Sequence, residues 1–125
     1  MRLVYLAGSI FNNPNPGEWR AEAITMLPEG WRAVNPLDFE VGGLKPTELV
    51  TLDYYHIQGC HAVIARVTKP TWGTAMEIGY AKRMPIPVFT WSARPIESPW
   101  LIAHSSKHFL TLQEACMELR HVVVQ

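Results

Sequence analysis

The sequence predicts a small doubly wound (flavodoxin- or Rossmann-like) α/β fold: a parallel sheet of about five strands with helices on both faces. Three observations predict it. Short apolar runs rich in β-branched and aromatic residues recur along the chain, each of strand length. Stretches with helical spacing fall between them. Clusters of Gly, Pro and Asn separate the two kinds of segment. Strands alternating with helices build a parallel sheet, and right-handed crossovers then cover both of its faces.

The elements follow in order. Arg2–Ala7 is apolar enough for a buried strand, and Gly8-Ser9 breaks it. Asn12–Gly17, dense in Asn and Pro, is a loop. Glu18–Leu27 has helical spacing, with Trp19, Ala23, Ile24 and Leu27 on one face. Trp31–Val34 is a short strand ended by Asn35-Pro36, and Leu37–Lys45 reads as irregular. Pro46 suits the first turn of a helix running to about Gly59, with Leu49, Leu52, Tyr55 and Ile57 as its apolar set. Ala62–Val67 is the third strand, Thr74–Met84 the third helix and Ile86–Trp91 the fourth strand. Ser92–Ser106 reads as a loop with a short apolar stretch, Trp100–Ala103. His108–Leu110 is a candidate fifth strand. Thr111 and Glu114 form a capping box for a last helix, Leu112–Arg120. The tail Val122–Val124 is β-prone, without an evident partner.

Composition narrows the function classes. The 125 residues form no internal repeat and suit one domain, 1–125. Eleven basic and eleven acidic residues balance without a basic stripe, which argues against a nucleic-acid polymer as partner. No apolar run approaches a membrane span, and the first run is short for a secretory signal, so a cytoplasmic protein is expected. Cys60 and Cys116 have no metal-like spacing and read as buried thiols rather than a disulfide. His104 and His108 are four residues apart, but the chain has no H-E-x-x-H motif, and no metal site is expected. No organic cofactor is expected either. The sequence lacks G-x-G-x-x-G, G-K-[ST] and G-x-S-x-G.

The chemistry gathers where such sheets bind ligands, at the carboxyl ends of the strands. That edge collects Ala7–Phe11, Thr68–Glu77 and Trp91–Ser98. Glu77 falls in the first turn of the third predicted helix, between Met76 and Ile78. A poorly solvated acid there can serve as nucleophile or proton carrier; an acid favoured by the helix macrodipole is the plainer reading. Gly8 and Ser9 can hold a phosphate or simply end the first strand. Asp53 lies inside the second predicted helix, where a solvated surface charge is the commoner role. Tyr5 is the one polar group after Arg2 in the first strand, and reads most simply as a core tyrosine. Trp72 and Trp100 flank the crevice and can stack on a ligand's ring or pack in the core or at a subunit interface.

Together, Y-L-A-G-S-I at Tyr5–Ile10, Asp53, and G-T-A-M-E-I-G-Y-A at Gly73–Ala81 resemble the nucleoside 2-deoxyribosyltransferase superfamily. The V-T-K-P-T-W-G run continuing to Glu77-Ile78-Gly79 is most similar to the branch of 2′-deoxynucleoside 5′-phosphate N-hydrolases. The resemblance implies that Glu77 is the nucleophile attacking C1′ of the sugar. It implies that Tyr5 orients that carboxylate and that Asp53 assists departure of the base. A covalent glycosyl-enzyme intermediate is implied, resolved by water in a hydrolase and by a second base in a transferase. Transferases acting on free nucleosides typically carry Asp where this chain has Thr71, and a hydroxyl there suits a 5′-phosphate. The implied substrate-binding set is Gly8, Ser9, Ile10, Phe11, Thr71, Trp72, Gly73 and Ser98. Ser98 matches a serine supplied from a neighbouring subunit, which implies a homodimer or higher homo-oligomer; capping a helix is its plainer role. Phe11 stands where the hydrolase branch often has a phosphate-binding arginine. Either Arg94 replaces it or Phe11 stacks on the base. His61 stands where relatives commonly have a structural Asp.

The expected function is hydrolysis of the N-glycosidic bond of small-molecule (deoxy)nucleoside 5′-monophosphates. Base exchange between deoxynucleosides is the alternative. A nucleotide-binding module without catalysis is a second alternative, from a different class.

Overall fold

The computed structural model describes residues 1–40 and 42–123. Strands and helices alternate: β1 (Arg2–Ala7), α1 (Glu18–Met26), β2 (Trp31–Val34), α2 (Pro46–Gln58), β3 (Ala62–Arg66), α3 (Trp72–Arg83), β4 (Val88–Trp91), α4 (Pro99–His104), β5 (Lys107–Phe109) and α5 (Leu112–Glu118). The strands form one parallel sheet in the order β2-β1-β3-β4-β5. Residues within a strand point alternately to opposite faces. Val4, Leu6, Ala62, Ile64 and Phe89 therefore meet Trp19 and Ala23 of α1 and Leu112 and Ala115 of α5. Tyr5, Ala7, Val63, Ala65 and Val88 face Ile57 of α2 and Ile78 and Ala81 of α3. Each fully buried aliphatic side chain contributes about 1.5–3 kcal/mol, so this two-sided burial is the main source of stability.

The α/β class, the parallel sheet and the helices on both faces match the sequence expectation. Several local readings need correction. Helix α3 opens at Trp72, with Thr71 as its N-cap residue, so Glu77 lies in its second turn and its first turn holds no acid. The macrodipole explanation of Glu77 therefore fails. The expected loop Ser92–Ser106 contains α4, whose N-cap Ser98 accepts a hydrogen bond from the Leu101 N–H at 3.4 Å. The irregular Leu37–Lys45 segment begins within a 3₁₀ turn, Pro36–Asp38, capped by the Asn35 side chain. Ile24 and Tyr55 face solvent rather than the core, because the buried stripes of α1 and α2 centre on Trp19, Ala23 and Ile57. Thr111 caps α5, which gives way to a 3₁₀ turn at Leu119. Val122 and Val123 join no strand, and Val124 lies outside the described residues. Cys60 and Cys116 are free and buried.

Gly8 has an ordinary φ, and close packing rather than conformational freedom demands glycine there. A Cβ would sit 2.9 Å from Cζ2 of Trp19. His61 is a structural clasp: its Nδ1 accepts from the Leu3 N–H at 3.0 Å, and its own backbone N–H donates to Leu3 O at 2.8 Å.

Candidate active site

The strand order reverses between β1 and β3. The chain runs outward from β1 to β2, returns to β3 and proceeds the other way. A crevice opens at such a switch point, beyond the carboxyl ends of the two strands. Tyr5 reaches this region from β1 on the α2/α3 face, and Glu77 reaches it from α3. The Tyr5 hydroxyl donates to Glu77 Oε2 at 2.6 Å. That length is typical of a hydroxyl bound to a carboxylate.

A second pair of acids faces them. Asp53 lies midway along α2, and Glu40 comes from the segment just before that helix. Phe39 stacks on His56 of α2 at 3.8 Å between ring centroids, which holds this segment against the helix. Tyr54 stacks on Tyr80 at 4.1 Å, which fixes α2 against α3. Glu40 and Asp53 are close enough neighbours to share a proton. Glu40 Oε2 and Asp53 Oδ1 are buried without a hydrogen-bond partner among the described residues.

From the opposite face of the sheet, the fully buried Arg20 donates to Leu6 O at 3.2 Å, Pro16 O at 2.8 Å and Gly8 O at 3.0 Å. Its guanidinium thus fixes the backbone at the end of β1 and places a positive charge behind the acids.

These surroundings shift the proton affinities. Burial pushes Glu77 up to about 7, against the pull of the Tyr5 hydrogen bond and the Arg20 charge. Burial raises Asp53 to about 6. Burial and the neighbouring Asp53 raise Glu40 to about 8, so the pair holds a proton at neutral pH. Burial also holds the Tyr5 hydroxyl protonated well above its ordinary range. The site therefore combines an oriented carboxylate with a proton-bearing carboxyl pair. That set is suited to attack on an electrophilic carbon together with protonation of a leaving group.

The family model described as nucleoside 2-deoxyribosyltransferase matches residues 4–120. The chain belongs to this family. No curated protein matches the sequence directly. Solved structures share the fold. A 2-deoxyribosyltransferase from Leishmania mexicana superposes with a TM-score of 0.77 at 20% identity, covering 98% of this chain and 100% of that one. The 2-deoxyribosyltransferase of Bacillus psychrosaccharolyticus gives 0.74 at 19% identity, over 91% of this chain and 90% of that one. A conserved protein from Enterococcus faecalis gives 0.78 at 17% identity, over 98% and 99%.

Within this nucleoside 2-deoxyribosyltransferase fold, the other expected site residues line the same edge less tightly. Ser9 borders a small cleft between the loops after β1 and β3. Phe11, Trp72 and Trp100 are 83%, 85% and 77% exposed. Gly73 has open space where a side chain would project. Ile10 and Thr71 lie in the loops that follow β1 and β3. Ser98 caps α4, which packs against α3. The Arg94 side chain is exposed, and its carbonyl accepts from the Ser92 hydroxyl at 2.8 Å.

Among the described residues, no group of three or more His, Cys, Asp or Glu is arranged to hold a metal ion, and no helix is long and apolar enough to cross a membrane. Sequence reasoning missed Glu40 and Arg20. Glu40 follows the carboxyl end of β2, and that position at the binding edge was the available signal. Arg20 had none, since a charged residue beside Trp19 on a helix reads as surface.

Proposed function

We propose that the protein hydrolyses the N-glycosidic bond of (deoxy)nucleoside 5′-monophosphates, giving free base and sugar 5-phosphate. The observation that carries this reading is the 2.6 Å hydrogen bond from Tyr5 to Glu77 with the Asp53–Glu40 pair beside it. A Glu77 oxygen bonds to C1′ as the C1′–N bond breaks, and the bonding electrons leave with the base. The one proton held by the pair passes from Glu40 to Asp53 and from Asp53 to the departing base. The transition state is cationic at C1′, so a preorganised carboxylate stabilises it. Water then attacks C1′, the Glu77–C1′ bond breaks, and the pair recovers a proton. This is the logic of a retaining glycosidase applied to nitrogen.

Thr71 and Ser9 favour a 5′-phosphate over a 5′-hydroxyl, because neutral donors accept a dianion that a carboxylate would repel. Trp72 and Phe11, exposed at the rim, offer faces on which a base can stack. Ser98 on α4 completes the site of a second copy in a homodimer or larger homo-oligomer. The exposed Trp72 and Trp100 supply apolar surface for that contact.

The test is a panel of nucleosides and their monophosphates, followed by chromatography for free base. Release from monophosphates is expected. Turnover of nucleosides alone rejects the phosphate reading. Base exchange is the second reading, favoured by the two structural neighbours whose names describe that activity. A new nucleoside formed when a second base is added would establish it. A 2-fluoro substrate analogue is expected to leave a sugar adduct on Glu77, detectable by mass. Tight binding with neither turnover nor adduct would leave a non-catalytic nucleotide-binding module.

A further inference from the structure

We infer that Arg66 and Lys69, with Ser9 and Thr68, form the clasp for the substrate's phosphate dianion. The inference rests on the monophosphate reading and names the groups that would enforce it. Ala7 of β1 pairs with Ala65 of β3, so the chain leaves both strands side by side. This brings Gly8-Ser9 next to Arg66-Val67-Thr68 at the carboxyl edge of the sheet. A cavity of about 120 Å³ opens between these loops, bordered by Ser9, Asn12, Arg66, Thr68 and Lys69. Among the described residues, no carboxylate lines it.

Both cations are pre-positioned. The Arg66 guanidinium lies 5.5 Å from the ring centroid of Trp91, its partner across β4, and its Nε donates to Thr68 Oγ1 at 3.0 Å. Its two Nη groups make no hydrogen bond among the described residues, and they form the fork that suits a phosphate. Lys69 Nζ reaches Asn12 O at 3.4 Å, a long contact that the ammonium can exchange for an anion. The clasp also neighbours the acids. Arg20 fixes Gly8 O, immediately before Ser9, and its charge interacts with both Glu77 and Arg66. A sugar with C1′ at Glu77 can thus direct its 5′ end toward the cleft, away from the acids. Arg66 and Lys69 supply the positive charge that Phe11 cannot.

The test compares the parent protein with Arg66→Gln, Lys69→Gln, the double variant and Arg66→Lys. Circular dichroism confirms folding, and Lys69→Gln alters an exposed side chain that cannot unfold the sheet. For a deoxynucleoside 5′-monophosphate, KM is expected to rise roughly 10- to 100-fold in the double variant, the loss of one or two charge-assisted contacts. The preference for monophosphate over nucleoside falls by the same factor, and Arg66→Lys restores part of it. An unchanged KM in the double variant overturns the clasp while leaving the activity standing. If the parent turns over only unphosphorylated nucleosides, the activity reading falls instead. The clasp is then judged by calorimetric titration with deoxyribose 5-phosphate. Binding by the parent that the double variant loses upholds it, and equal binding or none overturns it.

Discussion

Glu77 sits between opposing demands. Burial raises its proton affinity to about 7, while the Tyr5 hydroxyl and the Arg20 charge favour its ionised form. The proposed nucleophile must be ionised to attack, so activity should rise with pH through about 7. Tyr5→Phe removes the donor, leaves burial unopposed by that bond, and moves the rising limb to higher pH. At neutral pH we expect kcat to fall roughly 10- to 100-fold, the value of one hydrogen bond to a charged group. Glu77→Gln keeps an acceptor for Tyr5 but has no nucleophilic oxygen, and turnover should be lost. Parallel pH–rate profiles of the three proteins decide this. An unshifted limb in Tyr5→Phe would mean that the short bond orients nothing.

Helix α2 and the segment before it act as one unit. The Phe39–His56 stack brings Glu40 to Asp53, and the pair holds a proton at neutral pH. The falling limb of the rate profile should therefore lie near 8, where Glu40 loses its proton. Glu40→Gln keeps an amide to donate to Asp53 but supplies no transferable proton. The limb should retreat toward about 6, the value of Asp53, with roughly tenfold slower turnover at pH 7.5. A limb that stays near 8 in this variant would assign the acid to another group.

The same elements show what the sequence reveals. The strands were legible to within two residues, because runs such as Val4–Ala7 are buried on both faces and carry no competing signal. The pairing of Tyr5 with Glu77 and the nearness of Asp53 were foreseeable through the family pattern. The place of Glu40 beside Asp53 was not, because it depends on a stack between Phe39 and His56 that no local periodicity encodes. Helix α4 was missed for a similar reason. Its six residues are too few for a helical period, although Ser98-Pro99 is a regular helix start.

At the scale of the whole molecule, the site is built from β1, α2, α3 and the segment before α2. Its acids consequently burden the fold they belong to. Glu77 and Glu40 bind protons more tightly in the folded chain than carboxylates do in an unfolded one. Between about pH 4.5 and 8 the native state therefore carries more protons, and stability must decrease as pH rises. The stabilisation is fully present below the ordinary carboxylate range and disappears as pH passes through about 7 for Glu77 and about 8 for Glu40. For Glu77 alone the change is on the order of 1–3 kcal/mol, allowing for its partial contact with solvent. Thermal unfolding from pH 5 to pH 8.5 should show a falling Tm in the parent protein. Glu77→Gln should flatten that decline and make the variant more stable than the parent at pH 8, because an amide keeps the Tyr5 hydrogen bond without any cost of ionisation. Parallel slopes for the two proteins would mean that Glu77 is as well hydrated in the fold as out of it. A carboxylate so hydrated is too well solvated to attack C1′, so the same measurement bears on the chemistry as directly as on the stability.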